Sequence, residues 1–151
     1  MGEAVRARAG KKLESPAPFQ YAALPWRRGA EGGIEILLIT SRGTGRWVIP
    51  KGWPMKRKSR RTAAAREAWE EAGLRGRVGR KPIGVYRYGK CRDDGRVIDV
   101  RVEVFPLEVV HEDEDWPEKL QRERRWTDPA GAALAVDEPE LRELILAFAA
   151  E

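Results

Sequence analysis

The chain has one cysteine, Cys91, among 151 residues. That excludes an internal disulfide framework and suits a reducing compartment, for which the cytoplasm is the expectation. The one histidine, His111, has no Cys or His neighbour at ligand spacing, so a surface or loop role fits it better than metal binding or catalysis. No run approaches the roughly 18 apolar residues of a membrane-spanning helix. The N-terminus, MGEAVRARAGKKLESPAP, carries basic residues without the apolar stretch of a secretory signal. Met-Gly at the start would suit a myristoyl acceptor, but Arg6 stands where that signal wants Ser or Thr. A soluble, intracellular chain without membrane contact is expected.

What is present bounds the architecture. At 42% hydrophobic content the chain can bury one core, and no repeat or linker divides it. Residues 1–17 read as a mobile basic arm closed by Ser-Pro-Ala-Pro, and residues 18–151 as one domain. Gln20 to Trp26 and Ile34 to Thr40 read as two strands joined by a Gly-rich turn, and Arg46 to Ile49 as a short strand ended by Pro50. Thr62 to Ala72 reads as a helix, with Ser59 or Thr62 as N-cap, Gly73 beyond its end, and Ala64, Ala65, Ala68 and Ala72 on its packed side. Strands are expected over Val78 to Tyr88 and Ile98 to Val110, turned by Asp93-Asp94-Gly95. An acidic loop from His111 to Glu118, a strand around Glu123 to Trp126 and a helix beginning after Asp137 or Pro139 complete the chain. Alternating elements of both kinds imply an α/β fold with a mixed sheet between helices.

The formal net charge of +5 is unevenly placed. Between Lys51 and Arg66 stand seven Lys or Arg residues and no acid. Such a block attracts polyanions. A solvated loop is the plainer reading for Arg60 and Arg61, and a nucleic-acid surface is disfavoured because Trp53 is the one stacking aromatic nearby.

Directly after that block comes Arg66-Glu67-Ala68-Trp69-Glu70-Glu71. On a helix, Glu67, Glu70 and Glu71 stand at i, i+3 and i+4 and share a face. Like charges stacked at i, i+4 oppose a helix by roughly 0.2–0.5 kcal/mol per pair, so a purely structural helix gains nothing from Glu67 over Glu71. A divalent cation removes the conflict, and hard carboxylate oxygens suit Mg²⁺ or Mn²⁺.

This stretch resembles the signature of the Nudix hydrolases, G-x5-E-x7-R-E-U-x-E-E-x-G-U with U a bulky aliphatic, and Gly52, Arg66, Glu67, Glu70, Glu71, Gly73 and Leu74 stand in register with it. Ala68 replaces a larger aliphatic, and Lys58 reverses the charge of the first glutamate. The resemblance covers roughly residues 19 to 148 and implies the Nudix α/β/α sandwich. It also implies hydrolysis of a diphosphate linkage by metal-activated water. On that analogy Glu67, Glu70 and Glu71 hold the metal with the backbone carbonyl of Lys51 or Gly52, and Glu70 or a loop carboxylate takes the proton. Arg66 would sit beside Glu67 and orient it. Glu118 and Glu123 are candidates for a further metal carboxylate, with Glu123 preferred for its E-x-x-W spacing to Trp126.

Arg46 to Gly52 and the run Ala63 to Ala68 resemble the branch that hydrolyses diphosphoinositol polyphosphates and diadenosine polyphosphates. Gln20 and Tyr21 stand where that branch has basic residues on its first strand, which favours a dinucleoside polyphosphate over an inositol pyrophosphate. Arg42, Arg46, Lys51 and Lys56 are the candidate phosphate contacts, and Trp53 and Tyr86 the candidate walls of a base slot. A Nudix fold that binds nucleotide or RNA with slow turnover, and removal of pyrophosphate from RNA 5′ ends, are the other readings. The expected partner is a small polyphosphate, and the expected state a monomer or homodimer.

Overall fold

A computed structural model describes residues 18–151, so the expected basic arm at 1–17 lies outside the described residues. Strand β1 (Phe19–Arg28) runs through an eight-stranded mixed sheet. Its residues alternate between faces, Ala22 and Leu24 to one side and Ala23 to the other. Strand β2 (Ile34–Thr40) pairs antiparallel with it, Trp26 opposite Ile36, and feeds both faces as well, Ile36 and Leu38 against Leu37 and Ile39. Such unbroken apolar runs are what strands covered on both faces require. The short strands β3 (Trp47–Val48) and β4 (Lys51–Gly52) attach to β2 and β1 respectively, with Gly52 opposite Tyr21.

Helix α1 (Arg60–Ala72) follows. Ser59 caps it, its hydroxyl accepting the Thr62 N–H at 3.3 Å, and Gly73 closes it in the left-handed conformation at φ 70°. A cap of this kind contributes about 1 kcal/mol. Ala63, Ala64, Ala68 and Ala72 are buried, and small side chains let the helix lie close on the sheet. Ala63 takes the place expected for Ala65, which is half-buried at the helix flank.

The strand expected over Val78 to Tyr88 is two strands, β5 (Leu74–Val78) and β6 (Gly84–Cys91). Both pair antiparallel with β7 (Val97–Glu112), β5 along its far half and β6 along its near half. Pro82, which has no N–H to give a ladder, lies in the break between them. Strand β7 also runs parallel to β1, from Phe19 opposite Arg101 to Trp26 opposite Glu108, and makes the sheet mixed. It continues to Glu112, so the acidic run is not a solvated loop at its start. Asp113 accepts the Trp69 indole N–H at 2.9 Å, and Glu112 meets Arg27 at 3.2 Å.

After a single 3-10 turn at Lys119–Gln121, strand β8 (Arg124–Thr127) pairs with β2. A helix not expected from the sequence, α2 (Pro129–Ala135), starts under an Asp128 cap, and α3 (Pro139–Ala149) ends the chain. Ala132, Ala133, Leu141 and Ile145 pack with Leu24, Leu38 and Val102 on one sheet face, and Ala64, Ala68 and Ala72 of α1 pack with Leu37, Ile39 and Phe105 on the other. The result is an α/β/α sandwich. Among the described residues no helix is long and apolar enough to cross a membrane.

Candidate active site

The site is built where α1 meets β4. A Cβ placed on Gly52 would stand 2.1 Å from Glu67 Oε2, so the absence of a side chain there is what admits the carboxylate. Glu71, one turn on, is 8% exposed; its Oε1 accepts the Lys51 N–H at 3.4 Å and its Oε2 lies 3.7 Å from the Arg122 guanidinium. Burial, then the neighbouring Glu71 carboxylate, pushes Glu67 from its ordinary 4.5 up to about 8. Burial raises Glu71 too, against the opposing pull of Arg122 and Lys51. Two carboxylates so held are each disfavoured as anions, a conflict that a bound cation relieves. Paired hard oxygens, wedged into a space that only glycine leaves open, fit Mg²⁺ or Mn²⁺.

Glu70 stands apart from that pair. Its Oε2 accepts the Arg66 Nε–H at 2.7 Å, and the Arg66 guanidinium lies 4.7 Å from the centre of the Trp69 ring. Arg66, expected beside Glu67, is thus the partner of Glu70, because i, i+4 places those two side chains one above the other on the helix surface. Among the described residues no three His, Cys, Asp or Glu side chains converge into a metal-holding group. Glu123 is exposed, its backbone tied to Thr40 at 2.9 and 3.0 Å, and does not line the cleft. Glu118 does, beside Glu67 and Glu71.

In front of the carboxylates lies a cleft of about 590 Å³. Three of the four expected phosphate contacts, Arg42, Arg46 and Lys51, line it, and Lys56 does not. Arg42 is steadied by Gln121 at 2.9 Å, and Arg46 by Asp137 and Glu138 at 3.3 and 3.4 Å. Lys51 is pulled below its ordinary value by burial, and its ammonium lies 4.9 Å from the Tyr88 ring centre. Trp53, 40% exposed, lines the same cleft. Tyr86 does not form a slot with it: 1% exposed, it belongs to the core under α3. Two residues along β6, Tyr88 reaches the cleft and donates its hydroxyl to Gln20 Oε1 at 2.8 Å.

Sequence reasoning passed over Arg122 and Lys90. The Arg122 side chain is 9% exposed and donates to Glu118 Oε1 at 2.8 Å and to the Thr40 carbonyl at 3.0 Å. The i, i+4 pair Glu118 and Arg122 was its available signal. Lys58 lies on an exposed loop and does not line the cleft, so its charge reversal leaves the carboxylate pair untouched. His111 is exposed, 3.1 Å from Asp113.

Residues 18–148 match the NUDIX domain, so the chain belongs to the Nudix hydrolase family. It is 34% identical to Nudix hydrolase 21, chloroplastic, of Arabidopsis thaliana over 149 residues, covering 93% of this chain and 73% of that protein. With the mouse diphosphoinositol polyphosphate phosphohydrolase 3-alpha it shares 36% identity over 95 residues, 61% of this chain and 54% of the relative. The match to two further Arabidopsis Nudix hydrolases spans 47% and 50% of their length, so the chain spans about half of several curated relatives. The fold is that of the Ap4A hydrolase of C. elegans, with a TM-score of 0.63 at 21% identity over 89% of this chain and 98% of that one.

Proposed function

We propose that the protein is a divalent-metal-dependent pyrophosphohydrolase acting on a nucleoside diphosphate derivative, with a dinucleoside polyphosphate as the substrate. The observation that carries this reading is the cleft itself. Glu67 and Glu71, wedged against Gly52, face a space of about 590 Å³ lined also by Arg42, Arg46, Lys51 and Lys90. Carboxylates beside cations suit a metal and the phosphates it meets, not a neutral ligand.

Bound there, Mg²⁺ or Mn²⁺ would supply charge neutralisation for phosphate oxygens and a lowered pKa for water. Glu67 and Glu71 would hold it. Glu118, which lines the cleft, or Glu70 once parted from Arg66, would accept a proton from water, Arg42, Arg46 and Lys51 would hold the remaining phosphates, and Arg122 would keep Glu71 and Glu118 in place. Trp53 stands at the exposed side of the cleft, where a base can stack. Gln20, 4% exposed and held by Tyr88, gives the first strand a neutral group in the cleft, which favours the less densely charged substrate. An exposed single cysteine fits a cytoplasmic site of action.

The test is product analysis with Mg²⁺ and a panel of diadenosine polyphosphates, nucleoside diphosphate sugars, nucleoside triphosphates, an inositol pyrophosphate and 5′-triphosphorylated RNA. Metal-dependent cleavage of the diadenosine polyphosphates ahead of the others is expected. Glu71→Gln is expected to lower kcat at least ~100-fold. Full hydrolysis in that variant would remove the site assignment, and ligand binding without turnover across the panel would make the protein a binding module.

A further inference from the structure

Helix α1 presents a second lined surface. At about 100° per residue, Thr62, Ala65 and Trp69 stand opposite Glu67 and Glu71. They line a groove of about 480 Å³ that shares no residue with the cleft. Its apolar floor is Ala65 and the half-buried Trp69 ring, laid over Leu74 and Leu107, which are themselves 1% exposed, and three cations border it, Lys58, Arg66 and Arg75. No acidic residue lines it.

The cations are arranged around one aromatic ring. Arg66 and Arg75 lie 4.7 and 5.5 Å from the Trp69 ring centre, and the Trp69 indole is anchored by Asp113. Each guanidinium also meets a carboxylate, Glu70 for Arg66 and Asp113 for Arg75, yet both stay about half exposed, at 49% and 57%. Each therefore has donors open to a further acceptor. Lys58 makes no side-chain ion pair among the described residues.

We propose that this groove is a second ligand site, separate from the cleft, for a nucleoside phosphate: its phosphates against Lys58, Arg66 and Arg75, its base and sugar on the apolar floor. The cations select against an uncharged nucleoside. The floor selects against bare inorganic diphosphate, which would leave it uncovered. This site stands whether or not the cleft turns substrate over.

The experiment titrates ADP, in EDTA, into the full chain and follows the indole N–H signal of Trp69 by NMR, identified by its loss in Trp69→Phe. A saturable shift is expected, with affinity reduced at least tenfold in Lys58→Glu and in Arg75→Ala and held within twofold in the Arg42→Ala, Arg46→Ala double variant of the cleft. Lys58 is on an exposed loop, so its variant stays informative if Arg75→Ala does not fold. Adenosine is expected not to bind, and inorganic diphosphate to bind at least tenfold more weakly than ADP. No saturable shift, or weakening in the Arg42, Arg46 variant with none in Lys58→Glu, would overturn the proposal. Diphosphate binding equal to that of ADP would overturn its nucleoside part.

Discussion

Two adjacent carboxylates of α1, Glu70 and Glu71, each meet an arginine, and the two pairs differ in kind. Arg66 and Glu70 meet at 2.7 Å on the surface, with side chains 49% and 31% exposed, while Arg122 meets Glu71 at 3.7 Å with both side chains 9% exposed. The shorter contact is the weaker one in energetic consequence. Water solvates Arg66 and Glu70 when they part, whereas Arg122 and Glu71, each 9% exposed, have little access to it. Distance alone does not rank electrostatic contacts; burial does.

The largest expected effect is therefore at Arg122. Arg122→Ala removes the ion-pair partner of Glu118 and leaves buried Glu71 with Lys51 as its remaining positive neighbour, and urea unfolding in EDTA is expected to show a loss of about 3–5 kcal/mol. Saturating Mg²⁺ is expected to recover part of it by supplying positive charge to the same carboxylates. A loss below about 1 kcal/mol would erase the contrast with the surface pair.

An intermediate effect concerns pH. Folded Glu67 titrates near 8 and unfolded Glu67 near its ordinary 4.5, so between those values the folded state holds a proton that the unfolded state has released. Stability of the metal-free protein is then highest below pH 4.5 as far as this group is concerned, and falls as pH rises towards 8. Asp113 and Glu140 are lowered, by their bonds to Arg75 and Arg87 above all, and their contributions are lost on the acid side, outside this window. Thermal unfolding in EDTA from pH 5 to 8 is expected to show the decline, with a flatter profile in Glu67→Gln or with Mg²⁺. An unchanged decline in Glu67→Gln would assign it to another group.

At the small end, Arg66→Ala removes an exposed i, i+4 pair and is expected to change stability by about 0.5 kcal/mol or less. A loss comparable with that of Arg122→Ala would show that the two faces do not differ as their burial implies.

Parts of the molecule whose organisation is local were legible in the residues. Ile34 to Thr40 reads as a strand and is one with those limits, and α1 has its end at Gly73 and its start under Ser59 because cap and C′ signals act within one turn. The β5–β6 break was not read, since Pro82 within an otherwise apolar, basic run announces an interruption only once both halves must share the long partner β7. Tyr86 and Tyr88 were indistinguishable by pattern, as i and i+2 on a strand face the same way. Their places along β6, one under α3 and one at the cleft, separate a core ring from a site ring.

For the site the division is similar. By itself the sequence determined the Gly52-to-Leu74 box, the helix that carries it and the stacking of Glu67 over Glu71, because all of these depend on spacing along one continuous segment. Only the tertiary structure decided that Glu118 lines the cleft while Glu123 does not, that Glu70 is engaged by Arg66, that Lys58 faces away, and that Arg122 stands behind Glu71. Those relations join segments far apart in the chain, and packing of the sheet and the β7–β8 connection, not side-chain periodicity, sets which charges meet.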